Sequence, residues 1–292
     1  MEPLISVVIP AYNRARTIIE ALKSVQVQTY RNWEVVVVDD GSNDNTCQIV
    51  AEYAIQEPRV RLLRHEKNRG GQAARNSGIK AANGEWIAFL DSDDQFLPNS
   101  LSLRLAMAQR DNISVVHSGA YIQRKNEALQ KHYVPKWSGN IYKKVLGSEG
   151  PVFPALLIKK EALEQIGYLD ERVVAYQEWD TSIRLAKRFE FGFEPEPTFI
   201  YDYTSKDAIS RSGIRNAKGY GYIMRKHFWP ILFALGALGM ACHYEVLTRW
   251  YTEGEDLKNA KRCQRIALIW KLSSPTIIYR KVKQLCRRSL AL

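Results

Sequence analysis

Two short stretches of the chain hold residues whose types and spacing can do chemistry. Asp39-Asp-Gly-Ser42 and Asp91-Ser-Asp-Asp94 each close an apolar run. On an extended segment Asp91 and Asp93 point to the same side, where two carboxylates can hold one hard cation. An oxygen donor set with no histidine nearby suits Mg²⁺ or Mn²⁺ better than zinc. Such an ion also takes substrate phosphate oxygens, because it dehydrates reluctantly and accepts only one or two protein ligands. A lone Asp-x-Asp is equally compatible with a solvated turn, and an aspartate after a strand often caps the next helix. Two clusters on one sheet edge favour function, since crowded like charges oppose folding.

The elements that must position these carboxylates follow from periodicity. Ile5–Ile9, Trp33–Val38, Val60–Arg64 and Trp86–Leu90 are apolar, β-branched runs of strand length. Between them, 16–28, 45–57 and 71–82 carry apolar residues at helical spacing. Strands with little alternation are buried on both faces, which predicts a parallel sheet covered by helices in an α/β fold. Crossover handedness then gathers the strands' carboxyl ends on one edge. Beyond Asn99 the pattern predicts a helix over 100–110, strands at 113–118, 155–158 and 198–203, a short helix at 161–166, a turn at 167–171 and a helix from Glu178 to about Arg188.

A wider set of segments keeps these clusters company. They are Ser6-Val-Val-Ile-Pro-Ala-Tyr-Asn-Arg14, Val35-Val-Val-Val-Asp-Asp-Gly-Ser-Asn-Asp-Asn-Thr46, Asn68-Arg-Gly-Gly-Gln-Ala-Ala-Arg-Asn-Ser-Gly78, Gly84-Glu-Trp-Ile-Ala-Phe-Leu-Asp-Ser-Asp-Asp94, Ile166-Gly-Tyr-Leu-Asp-Glu171 and Gln177-Glu-Trp-Asp180. In order and spacing, over residues 4–210, the chain resembles the family 2 glycosyltransferases, inverting nucleotide-sugar enzymes of GT-A fold. The resemblance implies a Rossmann-like mixed sheet flanked by helices. It implies a donor site in which Pro10, Ala11 and Tyr12 wall the nucleoside, Asp39 accepts a hydrogen bond from the base, and Asp40 supports that loop. Gly70 and Gly71 let the backbone approach the nucleotide at a helix start, where free amides favour anions. Arg75 reaches the nucleotide or pairs with an aspartate of the site. Asp91, Ser92 and Asp93 take the ribose, diphosphate and metal, with Asp91 and Asp93 as metal ligands.

Sugar transfer to a hydroxyl requires a base while the metal stabilises the departing diphosphate. The family places that base in a Glu-Asp pair; here Glu178 stands at the base position, a carboxylate on a longer arm. Asp180 orients the site or caps the helix, and Trp179 with Tyr176 forms either a sugar-stacking platform or core. Family members often carry a histidine near the diphosphate, but Tyr201-Asp-Tyr-Thr-Ser205 has none. The loop 205–213, with Lys206 and Arg211, is either a cover for the diphosphate or a solvated loop. Arg249-Trp250 lacks the glutamine of the processive synthases' Gln-x-x-Arg-Trp, which argues for single-sugar transfer. An inactive glycan-binding scaffold is the competing class, and intact Asp91, Asp93 and Glu178 count against it. A dinucleotide oxidoreductase would need Gly-x-Gly-x-x-Gly after the first strand, where Pro10-Ala-Tyr-Asn-Arg14 stands.

Composition bounds the rest. The 292 residues are 46% hydrophobic and 25% charged, as in folded proteins. Net charge is +11, and residues 214–292 hold all of it, with 15 Lys and Arg against 4 Asp and Glu. The expected organisation is a catalytic domain at 1–213, with a nucleotide-binding half at 1–98 and an acceptor half at 99–213, followed by a basic helical appendage at 214–292. Within 276–292, Ile278, Val282, Leu285 and Leu292 trace an apolar stripe beside Arg280, Lys283 and Arg287. Such a helix either lies peripherally on an anionic membrane or packs on the body with a solvated basic face. Nucleic acid is not an expected partner, because no recognition motif or aromatic–basic interleaving is present. Phe228–Cys242 is the longest apolar run, about 15 residues against the roughly 20 of a bilayer span, and reads as a core helix. Four cysteines without metal-like spacing, and no basic leader before Ile5, suit a reducing, cytoplasmic setting, with the inner face of the membrane as a peripheral location. The expected partners are a nucleotide-sugar donor and a saccharide or lipid-linked saccharide acceptor.

Overall fold

The structure, a computed structural model, describes residues 2–125, 127–132, 134–203 and 212–274. The predicted basic helix at 276–292 lies outside these residues, as do Lys206 and Arg211.

The first strands and helices alternate: β1 (Ile5–Ala11), α1 (Ile18–Gln26), β2 (Trp33–Asp39), α2 (Thr46–Gln56), β3 (Val60–Arg64), α3 (Gly71–Ala81) and β4 (Trp86–Phe89). Then come β5 (Gln95–Phe96), α4 (Ser100–Arg110), β6 (Val115–Gln123), β7 (Gln130–His132), α5 (Tyr142–Gly147), a 3₁₀ turn at Phe153–Ala155, β8 (Leu157–Lys159) and α6 (Lys160–Gln165). The remainder is α7 (Gln177–Ala186), β9 (Phe191–Asp202), α8 (Gly213–Lys226), α9 (Phe228–Glu253) and α10 (Leu257–Leu272).

One mixed sheet runs β3-β2-β1-β4-β8-β6-β9-β5, with β7 on β6. β3, β2, β1 and β4 are parallel neighbours, and β8 joins antiparallel to β4 and β6. Val35–Val38 on β2 and Val7–Ile9 on β1 are wholly buried, as expected of strands covered on both faces. α1 buries Ile18, Ala21, Leu22 and Val25, a single apolar stripe at helical spacing.

The later strands depart from the predicted bounds. β9 begins at Phe191 instead of Thr198, because Glu194-Pro-Glu-Pro197 masks its apolar pattern. The sheet absorbs those prolines by register shifts on either side of Gly119, opposite Pro197. The strand placed at 155–158 starts two residues later, after the 3₁₀ turn.

Two compact units divide the chain. The first takes residues up to Tyr142, then Gly150–Arg172, and from Gln177 to the end of β9; it holds the whole sheet. The second takes Lys143–Glu149, Val173–Tyr176 and the described residues from 212 on. Within it, α9 corrects the core-helix expectation for Phe228–Cys242. It has 26 residues, is long and apolar enough by length and composition to cross a membrane, and buries only 28% of its apolar window. Pro230 lies in its first turn, where a missing amide costs nothing, so the helix is not cut short there. Gly236, at φ 64 and ψ −167, interrupts it instead.

Candidate active site

β2, β1 and β4 are adjacent and parallel, so Asp39, Ala11 and the residues after Phe89 leave the sheet at one edge. The two acidic loops emerge there on either side of β1.

The Asp39–Asp40 loop is buried and densely bonded. Asp40 Oδ1 accepts from the Arg69 amide at 2.9 Å, and its Oδ2 accepts from the Gly70 amide at 2.7 Å. His65 Nδ1 donates to Oδ1 at 2.7 Å, while His65 Nε2 shares a hydrogen bond with Ser77 Oγ at 2.8 Å. Asp40 thus holds the turn that starts α3. Gly70 enters that turn at φ 95, in the region that favours glycine. Gly41 passes so close to the same segment that a Cβ would lie 2.8 Å from the Asn68 nitrogen. Asp39 Oδ2 accepts from the Ser42 amide at 3.1 Å, and Arg64 Nε lies 3.7 Å away. Asp39 Oδ1 is buried with no hydrogen bond of good geometry among the described residues. The Cys47 thiol, a weak donor, also lies against this carboxylate. Burial, with Asp39 beside it, pushes that thiol up to about 11.

Pro10, Ala11 and Tyr12 end β1, with Tyr12 40% exposed at the surface of this edge. Their loop is pinned to the next one: the Asn13 amide donates to Ser42 Oγ at 2.8 Å and the Arg14 amide to Thr46 Oγ1 at 2.8 Å.

The Asp91–Asp94 loop is charge-crowded. The Asp94 amide closes it on the Asp91 carbonyl at 3.0 Å, and Ser92 is buried inside. Asp94 Oδ1 accepts from the Asp202 amide at 2.9 Å, but its buried Oδ2 has no partner among the described residues. Burial first, then the Asp91 charge, holds the Asp94 carboxyl well above the usual carboxylate range. Asp93 is also raised, by burial and by Asp91, against a weak pull from Arg14, whose guanidinium is 3.9 Å away.

Arg75 ties this loop to the helix that carries Glu178. Its Nη2 donates to Asp91 at 2.6 Å and its Nη1 to Gln177 Oε1 at 2.9 Å, across 102 residues of sequence. The guanidinium also sits 4.4 Å from the centre of the Phe153 ring, and Gly71 packs against its Nη1 side. Glu178 follows Gln177 in the first turn of α7. Burial first, then the charges of Asp94, Asp91, Glu178 and Asp93, push the hydroxyl of Tyr201 on β9 above the usual phenol range. The structure therefore brings Arg75, Asp91, Asp93 and Glu178 together, with Asp39 and Asp40 on the neighbouring loop of the same edge.

Other side chains differ from expectation. Trp179 is wholly buried, so it is core and no stacking platform. Tyr176 meets the rings of Tyr220 at 5.3 Å and Trp250 at 6.0 Å. Asp180 binds Arg184 Nε at 2.8 Å, and Arg184 in turn donates to the carbonyls of Ile166 and Tyr168. This pair fixes the 166–168 turn, a role that helix capping did not anticipate.

Sequence reasoning missed Gln177 as Arg75's partner, Asn76, Asp94 and Tyr201. Asn76 clasps Leu169 through both its amide and its carbonyl, at 3.0 Å each. Asn76 and Asp94 stood inside the quoted segments, and their burial is the signal that only coordinates supply.

Asp91 and Asp93 are the two carboxylates of this loop available to a divalent cation, Asp91 already bonded to Arg75. They are close enough that the charge of Asp91 disfavours ionisation of Asp93, which a cation between them would reverse. Among the described residues no three His, Cys, Asp or Glu side chains are grouped to hold a metal by themselves. The donor set therefore fits an ion completed by substrate oxygens.

Comparison with known proteins gives the family and the fold. A family model described as glycosyl transferase family 2 matches residues 6–167. The Escherichia coli protein described as UDP-Glc:alpha-D-GlcNAc-diphosphoundecaprenol beta-1,3-glucosyltransferase WfgD is 40% identical over 46% of this chain and 52% of its own length. The chain thus spans about half of WfgD, and less of some other curated relatives it matches. Among solved structures, S. aureus TarS 1-349 in complex with UDP-GlcNAc superposes with a TM-score of 0.66 at 17% identity, over 89% of this chain and 90% of that one. The mannosyltransferase PcManGT from Pyrobaculum calidifontis, in complex with GDP-Man and Mn²⁺, gives 0.63 at 20% identity, over 98% and 80%. The fold is the mixed, helix-flanked sheet of the GT-A glycosyltransferases, followed by C-terminal helices.

Proposed function

The chain belongs to glycosyl transferase family 2, and we propose that it moves a single sugar from a nucleotide-diphosphate sugar to a saccharide or lipid-linked saccharide acceptor in surface glycan biosynthesis. The observation that carries this is the Arg75 clasp, which joins the Asp91 carboxylate to the residue before Glu178. In this reading the clasp sets the donor-phosphate end beside the helix that carries the base.

In this proposal Tyr12, with Pro10 and Ala11, flanks the nucleoside, and Oδ1 of Asp39 accepts from the base. Uracil is the favoured base, supported by the UDP-Glc donor in the name of WfgD and the UDP-GlcNAc bound in TarS. The amides at the start of α3, beginning with Gly71, face the diphosphate. Asp91 and Ser92 hold the ribose and diphosphate end, and Asp93 with Asp91 would hold Mg²⁺ or Mn²⁺. A bound ion would offset the charge that builds on the leaving diphosphate. Glu178 removes the acceptor hydroxyl proton. The acceptor oxygen bonds to the anomeric carbon as the sugar–phosphate bond breaks, which inverts configuration. The lipid-linked acceptor is supported by the diphosphoundecaprenol substrate in the name of WfgD.

The same proposal assigns donor binding to 1–98, acceptor binding to 99–213 and an accessory role to 214–292. It places the enzyme on the cytoplasmic side, with 276–292 touching the inner face of the membrane.

The test is a thermal-shift screen of UDP-Glc, UDP-GlcNAc, UDP-Gal and GDP-Man with Mn²⁺, followed by nucleotide release for each binder. Stabilisation by a UDP-sugar and Mn²⁺-dependent UDP release are expected, both lost in Asp93→Ala. Preferential binding of GDP-Man overturns the donor assignment. Binding without turnover on any acceptor favours the scaffold class, and a wild-type rate in Glu178→Ala rejects the base.

A further inference from the structure

We infer that the start of α9 and the end of α10 form a surface that lies on an anionic lipid bilayer. This contact is independent of the donor chemistry proposed above and distinct from the 276–292 segment.

The surface is built from aromatic and aliphatic side chains turned to solvent. Trp229 is 62% exposed and Phe233 81%, and their rings stack 5.7 Å apart, one helical turn from each other. Phe228 touches Trp229 at 5.2 Å and Trp270 at 6.5 Å, which ties the start of α9 to the end of α10. There Leu268, Ile269 and Leu272 are exposed as well. In the same segment Ile231 is buried, as are Met240, Ala241 and Leu247 beyond Gly236. The outward side chains are therefore surplus to the packing of this unit. Apolar patches of this kind mark interaction sites, and tryptophan is enriched where an apolar body meets a wet interface.

Charge selects the occupant. Arg225 and Lys226 are exposed immediately before the patch, and no Asp or Glu occurs from there to Glu245. The described residues 212–274 hold 10 Lys and Arg against 4 Asp and Glu. At the α10 end Lys271 is neutralised by Glu245, so the cations beside the patch are Arg225 and Lys226, and an anionic headgroup layer complements them, each basic group near such a surface contributing about 1 kcal/mol. A second copy of the chain would bring Arg225 and Lys226 against like charges.

The contact is interfacial. Although α9 has the length and composition of a span, Gly236 breaks it after eight residues. Those eight residues rise only about 12 Å, against a hydrocarbon core of about 30 Å. Beyond the break the helix carries His243, Glu245, Arg249 and Glu253. The first segment can bury its aromatic face at the headgroup boundary with its axis along the surface.

Flotation of the full chain with phosphatidylglycerol-rich and pure phosphatidylcholine vesicles tests this. The wild type is expected to float with the anionic vesicles only. The double variant Trp229→Ser/Phe233→Ser should lose at least fivefold of the bound fraction while keeping the melting midpoint and nucleotide-release rate in solution. Brominated phosphatidylglycerol should quench part of the tryptophan emission, and that part should shrink in the conservative variant Trp229→Phe, the remainder coming from Trp270. This second measurement decides the matter if the double variant misfolds. Unchanged flotation of a folded double variant, with binding lost only on truncation after Ser274, overturns the inference in favour of the C-terminal segment. Quenching that ignores Trp229→Phe overturns it too. So does a dimer in light scattering that the double variant dissolves while vesicle binding stays as in wild type.

Discussion

The two acidic loops at the sheet edge flank the same strand, yet their charges are met in opposite ways. Asp40 receives three donors at 2.7–2.9 Å, so its charge is spent on holding the turn that opens α3. Asp93 and Asp94 receive far less, and both carboxyls are pushed up by burial and by Asp91. Burying poorly compensated carboxylates together opposes folding. A fold keeps such a loop when another charge is to arrive there. On the proposed function the difference separates a loop that shapes the site from one that acts in it, and substitutions should then fall into those two classes.

The largest effect is expected at Asp93. Asp93→Asn removes a carboxylate from the crowded loop, so nucleotide release should fall by about three orders of magnitude, the scale of several kcal/mol of metal-assisted charge stabilisation. The melting midpoint without metal should hold or rise, and the added stabilisation by Mn²⁺ should disappear. A destabilised protein that still responds to Mn²⁺ would erase the distinction between the loops.

Asp40→Ala should behave inversely. It leaves the Arg69 and Gly70 amides and His65 without their acceptor in a buried site, at a cost of about 2–4 kcal/mol. Urea unfolding measures that loss. Residual activity per folded molecule, measured at saturating donor and low temperature, should fall much less than in Asp93→Asn.

Much of this arrangement was legible in the sequence because strand ends are local. Unbroken runs such as Val35–Val38 announce a doubly covered parallel strand, and the residue after the run must then lie at the carboxyl edge. The segments around Asp39, Gly70 and Asp91 could therefore be placed before any coordinates. What escaped were partnerships across long stretches of chain. Gln177 meets Arg75 only because α3 and α7 converge, and nothing near either residue encodes that. Asp94 read as one more acid in a turn, whereas its burial under the Asp202 amide sets it apart. The start of β9 was hidden by Pro195 and Pro197, which local propensity reads as a loop and the sheet tolerates as a bulge. The composition of α9 suggested a core helix, but exposure is a property of its surroundings.

Arg75 spans the contrast, since its guanidinium belongs to the structured side and its carboxylate partner to the crowded one. Arg75→Lys keeps the charge and loses the fork that reaches Asp91 and Gln177 together. Activity should drop about 10–100-fold, or about 1.4–2.8 kcal/mol. Arg75→Met should lower activity further and raise the donor KM. If lysine restores full activity, only the charge matters and the link to Gln177 is incidental.

The smallest effect, and the one that probes the crowded loop from within, is Asp94→Asn. The folded-state pKa of Asp94 is raised, so on raising pH the unfolded chain ionises first, near 3.9 for a free aspartate. Above that value the native state binds more protons than the unfolded state, and stability contributed by protonated Asp94 is lost as pH climbs toward the raised value. At neutral pH the wild-type carboxyl is therefore a cost that asparagine does not carry. Its carbonyl can still accept from the Asp202 amide, and its new N–H groups face a neighbourhood of carboxylates. Stability at pH 7 without metal should rise by about 1 kcal/mol, roughly 2 °C in melting midpoint for a chain of this size. The midpoint should also fall less steeply between pH 4 and 7, though some slope persists because Asp93 is raised in the same direction. Thermal melts across that range measure both effects. A variant less stable than wild type at pH 7 would mean that Asp94 is ionised and paired there, and the loop would then not be crowded at all.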